Sequence, residues 1–311
     1  MLSRRLLRVK VMQVVYSHQQ QTDNSYNGIE KELYHSIGKS HELYHLMLQL
    51  PMELRRMAEK RIEAGKSKIN PTQEELNPNL RFVHNRLIFE IERNQQLAEY
   101  IEATKVTWTD DSELIKIIFN KMIASEAYKE YMNAEEDSFE NDAHFVIKFI
   151  TKLLPEYEFF FDALELKSIY WNDEAEFAIS IAAKTLKQFD GHNGHEVPLI
   201  GMFKDADDET FVKKLLRATV EDKFNTISLI QEFSKNWDAN RVSTIDNIII
   251  RMAIAEMTSF HELPIRITLN EYIEIAKYYS TNKSNNYING ILQKIVTKLV
   301  EEKHILPAQL A

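Results

Sequence analysis

The amino-acid sequence predicts an all-α protein built from many helices. Only seven glycines and seven prolines occur among 311 residues, so the chain has few of the residues that hairpins and glycine-rich phosphate loops require. Apolar residues recur at three- and four-residue spacing over long stretches, which is typical of amphipathic helices. With 44% apolar residues, the chain can bury one large core or two smaller ones.

Composition also narrows the classes of function. The absence of cysteine excludes disulfides, thiolate nucleophiles, iron–sulfur clusters and cysteine-ligated zinc, and it favours a reducing compartment. No apolar run reaches the length of a membrane span, so we expect a soluble cytoplasmic protein with no membrane contact. The glycines do not occur in the complete pattern of a dinucleotide or Walker loop, and we therefore expect no cofactor.

The first helix is predicted from Leu6 to His18, and it begins in a basic segment. The first ten residues contain no acidic residue and carry four cations, Arg4, Arg5, Arg8 and Lys10. Cations at a helix N-terminus oppose the helix dipole, which suggests that they have a use elsewhere. Because the net charge of −9 would repel a polyanion, any nucleic-acid site has to be a local basic patch such as this one. A merely solubilising terminus is the alternative.

The middle of the chain alternates between helical patterns and polar segments. Helices are predicted at about 29–64, 80–104, 112–132, 142–154 and 173–189. The lysine-, asparagine- and proline-containing stretch 65–79 and the segment 190–195 are predicted loops, and the acidic run 205–209 marks a break before Phe211.

The C-terminal third has the most regular pattern. Ser243 and Asp246 have the spacing of a capping box, with aspartate in place of the usual glutamate, and they precede an isoleucine run that predicts a buried helix. Pro264 ends the connection to a helix at about 269–279. A final helix is predicted from its apolar stripe, Ile288, Ile291, Leu292, Ile295 and Leu299, which indicates packing.

One short motif suggests an enzyme. The segment His41-Glu42-Leu43-Tyr44-His45 matches H-E-x-x-H, which in zinc hydrolases places two imidazole ligands one helical turn apart beside a glutamate general base. A zinc-dependent hydrolase is therefore the alternative function.

The longer metzincin pattern fails, because Leu48 and Pro51 stand where its glycine and last histidine belong. A third ligand would have to come from elsewhere, with Glu63 as a candidate. Charged residues at helical spacing produce the five-residue pattern by chance, so we interpret His35, His41 and His45 as surface residues.

Both ends of the chain resemble the NusB family. Residues 4–16 are similar to its opening helix, with an arginine-rich start, apolar residues and a valine–tyrosine pair. Residues 245–298 resemble its closing helices, and 211–237 the helix before them. The motifs that carry the second resemblance are Arg251 and Glu256, Pro264, Asn270-Glu271, Ile275-Ala276-Lys277 and Tyr287-Ile288-Asn289-Gly290-Ile291-Leu292.

The resemblance implies a multi-helix fold with two helical subdomains and an additional helical insertion. On this interpretation residues 1–22 form the N-terminal RNA-binding helix and 23–109 a helical insertion. Residues 110–205 complete the N-terminal subdomain, and 206–311 form the C-terminal subdomain.

The resemblance also implies a function without catalysis. The family's transcription antitermination factors bind boxA-like single-stranded RNA with a NusE-type small-subunit ribosomal protein, in the transcription elongation complex of operons such as those for ribosomal RNA. Matching positions assign RNA contacts to Arg4, Arg5, Arg8, Tyr16, Lys277 and Tyr287. They assign partner contacts to Glu256, Glu262 and Arg266, although Glu256 could instead be a buried hydrogen-bonding residue. The NusB-like domain of RNA methyltransferases is a further alternative, but the chain lacks a glycine-rich cofactor loop.

Overall fold

The computed structural model describes residues 2–20, 25–233, 243–281 and 284–310. Within these ranges the protein has fifteen α-helices, several short 3-10 turns, one π-helical turn and no β-strand, which confirms the predicted all-α class. None of the helices in the described part is long and apolar enough to span a membrane.

The chain forms two compact units. The terminal unit comprises Met1–Ile37 and Met202–Ala311, and the central unit comprises Gly38–Gly201. These boundaries differ from the predicted divisions after residues 22, 109 and 205, the first of which lies outside the described residues. One reason is that the second helix runs through the boundary at residues 37 and 38, where no glycine–proline cluster or charge run marks a break.

The first two helices contain the N-terminal part of the terminal unit. Helix α1 spans Arg4–Gln19, and Ser3 caps it by accepting a hydrogen bond from the backbone N–H of Leu6 at 3.3 Å. Helix α2 spans Tyr26–Lys66 and continues through Pro51, although proline cannot donate the backbone hydrogen bond that a helix interior uses.

The remainder of α2 and eight further helices belong to the central unit. These helices are α3 Gln73–Leu76, α4 Arg86–Glu92, α5 Gln95–Thr104, α6 Ser112–Ala124, α7 Glu126–Asn133, α8 Phe139–Lys148, α9 Glu158–Lys167 and α10 Ala175–Leu186. Trp108 is buried in this unit, and its indole N–H donates to the Leu46 carbonyl at 2.8 Å.

The central unit has more helix breaks than the sequence predicted. The predicted helix 80–104 is divided because the side chains of Asn85 and Asn94 each cap a new helix, accepting from Ile88 and Leu97. Ser125 divides the predicted helix 112–132 in the same way. The predicted loop 65–79 contains the short α3, whose first turn has a capping box between Thr72 and Glu75.

The last five helices complete the terminal unit. They are α11 Ala206–Glu221, α12 Thr226–Phe233, α13 Thr244–Ser259, α14 Ile265–Tyr279 and α15 Ser284–Glu301. The predicted cap of α13 is confirmed, since Ser243 Oγ accepts from the Asp246 backbone N–H at 3.1 Å. Helix α1 packs against α11, α13 and α14, and the apolar stripe of α15 is buried as predicted.

Candidate nucleic-acid interface

Helix α1 is a core helix of the terminal unit, and this position determines what its cations do. Eight of its residues are buried, including Arg8 and Lys10. The exposed part of its basic segment is therefore smaller than the sequence suggests, with Arg4 half-buried and Arg5 exposed.

Arg8 and Glu256 form a buried ion pair between α1 and α13. Arg8 Nε and Nη2 donate to the two carboxylate oxygens at 2.7 and 2.6 Å, and the side chains are 4% and 0% exposed. The hydroxyls of Thr268 and Tyr272 donate to the same carboxylate at 3.1 and 2.9 Å. Glu256 therefore has the hydrogen-bond partners that a buried carboxylate needs.

The surroundings of this pair stabilise its charged form. Burial lowers the pKa of the Arg8 guanidinium, but the hydrogen bond to Glu256 and the nearby anionic groups outweigh that effect, so the pKa is raised. Burial and the charge of Glu256 raise the pKa of Tyr272 well above its usual value. The Arg8 guanidinium also lies over the Phe211 ring, 5.1 Å from its centroid.

The other two arginines are partly exposed and are also bound to carboxylates. Arg4 Nε donates to Asp208 at 2.9 Å, and Arg5 donates to both oxygens of Glu271 at 2.8 and 2.7 Å. The Arg4 and Arg5 side chains are 41% and 46% exposed. The three arginines of the first helix are thus matched by carboxylates from α11, α14 and α13.

These placements correct three sequence assignments. Arg8 and Tyr287 are buried and do not present a guanidinium or a ring at the surface for RNA. Glu256 is fully buried and has the structural role that was the alternative to partner binding. Helical periodicity could not show this, because the partner of Arg8 lies 248 positions away in sequence.

The remaining assigned residues do lie at the surface of the terminal unit. Tyr16 is 40% exposed, and Lys277 is exposed with its ammonium 2.5 Å from Glu274. Glu262 and Arg266 are both exposed, one in the turn after α13 and the other in the first turn of α14. Their roles in binding stay predictions.

Sequence reasoning missed two residues of α14. Tyr278 is 80% exposed, and Glu271 holds Arg5. Positions 271, 274 and 278 recur at three- and four-residue spacing, so they share one face of the helix. That spacing was visible in the sequence, but which face of α14 is exposed depends on packing against α13 and α15.

The histidine motif of the central unit does not form a metal site. His41 Nε2 donates to the Ile200 carbonyl at 3.0 Å, and His45 Nδ1 donates to the His41 carbonyl at 2.8 Å. Glu42 is paired with Lys39 at 2.7 Å. No group of three residues that could ligate a metal is assembled in the described ranges.

The surface assignment of these histidines was also partly wrong. His45 is buried and stacks on Tyr100 with 3.5 Å between ring centroids, and His41 is half-buried, whereas His35 is exposed. Burial lowers the pKa of both His41 and His45, in the second case to about 3.

Comparison with known proteins identifies the terminal helices with a family. The NusB family model matches residues 179–297, which include α11 to α14 and most of α15, whereas α1 precedes the match. No solved structure is significantly similar to the chain.

Three curated relatives show the extent of the similarity. The transcription antitermination protein NusB of Natranaerobius thermophilus is 44% identical over 70 residues, which are 22% of this chain and 50% of that protein. The protein of the same name from Dictyoglomus turgidum is 40% identical over 97 residues, 31% of this chain and 67% of the relative. The NusB of Salinibacter ruber is 31% identical over 108 residues, 35% of this chain and 68% of the relative.

The chain thus spans from half to about two thirds of the length of these relatives. All three are named for transcription antitermination and none for an enzymatic activity, in agreement with the prediction of a non-enzymatic protein. With two thirds of the Dictyoglomus and Salinibacter proteins matched at more than 30% identity, the chain belongs to the NusB family.

Proposed function

We propose that the protein is a transcription antitermination factor that binds boxA-like single-stranded RNA together with a NusE-type ribosomal protein. In this role it joins the cytoplasmic transcription elongation complex and regulates elongation, notably of ribosomal RNA operons. The observation that carries the proposal is family membership combined with two arginines at the start of α1 whose side chains are 41% and 46% exposed.

Arg4 and Arg5 are the residues that we assign to the RNA backbone. Each guanidinium already holds a carboxylate, and the same paired donors fit the oxygens of a phosphate. Exposed ion pairs are worth only about 0–1 kcal/mol, so exchange of the Glu271 carboxylate for a phosphate at Arg5, whose side chain is 46% exposed, costs little.

The exposed face of α14 supplies a ring and a further cation. Tyr278 follows Glu271 by seven residues, which separates the two by roughly 10 Å along the same face of the helix. Unpaired bases stack on exposed aromatic rings, and Tyr278 offers such a ring where Tyr287 does not. Lys277 adds a charge beside it, and Tyr16 offers a second exposed ring.

The start of α14 is the surface that we assign to the ribosomal protein. Glu262 and Arg266 are exposed there with opposite charges, and the neighbouring Ile267 side chain is 50% exposed. An apolar residue flanked by charged residues is a common arrangement in protein interfaces, whose rims are polar.

The test measures binding of a fluorescently labelled boxA-like RNA at two salt concentrations, with and without the ribosomal protein. We expect salt-sensitive binding that the ribosomal protein tightens. The double variant Arg4→Ala/Arg5→Ala should bind more weakly. The magnitude of the slope of log affinity against log salt concentration should also decrease by up to about 1.4, because each lost phosphate contact to a single strand contributes about 0.7. Arg8 is left intact in this variant because it stabilises the core.

A matched control removes two other cations of the terminal unit. Lys213 and Arg217 lie on α11 and pair with Glu30 and Glu221, so their double alanine variant changes the net charge equally. It should keep most of the affinity. Equal losses in the two double variants would reject the assignment of the α1 arginines, and an absence of RNA binding under every condition would reject the proposed function.

A further inference from the structure

Glu271 lies between two arginines of α1 that differ in exposure. Its carboxylate accepts two hydrogen bonds from Arg5, and Arg8 Nη1 lies 3.6 Å from Oε2. The Arg5 side chain is 46% exposed, whereas the Arg8 side chain is 4% exposed. The carboxylate thus lies between a buried cation on one side and a partly exposed cation on the other.

We propose that Glu271 is an intramolecular competitor of the RNA phosphate at Arg5, an inference that rests on the proposed function. Arg5 presents Nε and Nη2 to the two oxygens of the carboxylate. A phosphate binds to the same pair of donors with the same geometry, so Arg5 can hold one of these anions in this way but not both. RNA binding at Arg5 is therefore an exchange of partners.

Arg8 makes this exchange possible by retaining Glu271 when Arg5 leaves. The Arg8 guanidinium is fixed by its two hydrogen bonds to Glu256 and by the Phe211 ring. Its remaining terminal nitrogen, Nη1, is the one that faces Glu271. The carboxylate consequently stays in place after release, where it repels the incoming phosphate and reduces the gain from the new contact.

Glu271 is an anion at neutral pH, as a competitor has to be. The hydrogen bond from Arg5 is the largest effect on its carboxyl and lowers the pKa, while partial burial opposes it and the charges of Arg5 and Arg8 lower the pKa further. The competition is consequently present throughout the neutral range.

Glu274 provides a matched control on the same helix. It lies three residues from Glu271, its charge also acts on Arg5, and its own hydrogen-bonded partner is Lys277. Because Lys277 is itself assigned to RNA, Glu274→Gln is made in a Lys277→Ala background, where it removes the same charge near the same surface without releasing a cation or removing a hydrogen bond to Arg5.

The experiment compares the full chain with Glu271→Gln, Arg5→Ala and Arg5→Ala/Glu271→Gln, and compares Lys277→Ala with Lys277→Ala/Glu274→Gln, using labelled boxA-like RNA at two salt concentrations. Glu271→Gln should bind the RNA about three- to tenfold more tightly than the wild type at low salt. This gain is the expected effect of releasing Arg5 from a surface ion pair and of removing a like charge near the phosphate. Glu271→Ala is measured beside Glu271→Gln, so that a folding defect of one variant does not decide the result.

The double variant separates release of Arg5 from a general change of charge. Most of the gain from Glu271→Gln should disappear when Arg5 is alanine, because no Arg5 guanidinium is then left to release and only the removed like charge remains. A gain that persists in full in the Arg5→Ala background, or one that Glu274→Gln reproduces in full in the Lys277→Ala background, overturns the competitor role. Unchanged affinity in both Glu271 variants overturns it as well, while leaving the proposed function intact. If the wild type binds no RNA, with or without the ribosomal protein, both proposals fail.

Discussion

Arg8 and Glu256 meet in the interior of the terminal unit with two hydrogen bonds of 2.7 and 2.6 Å, one side chain from the first helix and the other from the thirteenth. The carboxylate is completely buried, and two hydroxyls complete its shell of donors. This pair links the start of the chain to α13 and α14, because Thr268 and Tyr272 belong to the latter helix. A motif that looks like part of a basic RNA-binding segment is thus also part of the core.

Replacing Arg8 by alanine should destabilise the protein by about 3–5 kcal/mol, because Glu256 would remain buried without its cation. Arg5→Ala should cost only about 0–1 kcal/mol, since the Arg5 side chain is 46% exposed. Urea denaturation of the two variants measures both values. A smaller loss for Arg8→Ala than for Arg5→Ala would contradict the structural role of the buried pair.

Replacing Tyr278 by alanine should weaken RNA binding by about fivefold to a hundredfold, the loss of stacking on one base. Tyr278→Phe keeps an aromatic face and should retain most of the affinity. Because Tyr278 is 80% exposed, the melting temperature should not change in either variant. The control is Ile267→Ala, which removes an exposed apolar side chain from the surface assigned to the ribosomal protein. Equal RNA affinities of Tyr278→Ala and wild type would rule out stacking at this position.

The buried His45 should make the stability of the protein depend on pH. Its folded pKa is about 3 against an ordinary value of 6.5, so between these values the unfolded chain binds a proton that the folded chain does not. The free energy of unfolding therefore has its full contribution from the neutral imidazole above about pH 6.5. It decreases as the pH falls below that value, by at most about 1.4 kcal/mol per pH unit. His41, whose pKa is also lowered by burial, acts in the same direction.

Urea denaturation between pH 7 and pH 4 tests this dependence in His45→Phe. Phenylalanine keeps a ring to stack on Tyr100 but has no proton to bind, so the variant should lose less stability on acidification than the wild type. His144→Gln replaces an exposed histidine of the central unit and should keep the wild-type pH dependence. If the stability of His45→Phe depended on pH in the same way as that of the wild type, burial of the neutral His45 imidazole would not be the cause of the pH dependence.

Zinc should not bind stoichiometrically to the H-E-x-x-H motif. One nitrogen of His41 and one of His45 donate to backbone carbonyls, and His45 is stacked on Tyr100. The measurement is the zinc retained after equilibration with an excess of the metal and gel filtration, compared between wild type and His45→Phe. One retained zinc per chain that is lost in the variant would restore the hydrolase as a candidate.

Local sequence signals determined most of the helices in the terminal unit. Ser243 identified the start of α13, and the apolar stripe from Ile288 to Leu299 identified α15, because caps and periodicity depend only on residues a few positions apart. The motifs around Pro264 and Tyr287 likewise indicated the family, which the comparisons support. In the central unit, asparagine and serine caps interrupted predicted helices, because such side chains end or begin a helix depending on their orientation.

The chain's sequence by itself determined the all-α class, the family and the concentration of positive charge at the start of α1. Only the tertiary structure decided that Arg8, Glu256 and Tyr287 are buried, while Arg5 and Tyr278 are exposed. The physical reason is that periodicity reports which residues share a face of one helix, but burial depends on the helices that pack against that face. For Arg8, that neighbour lies 248 residues further along the chain.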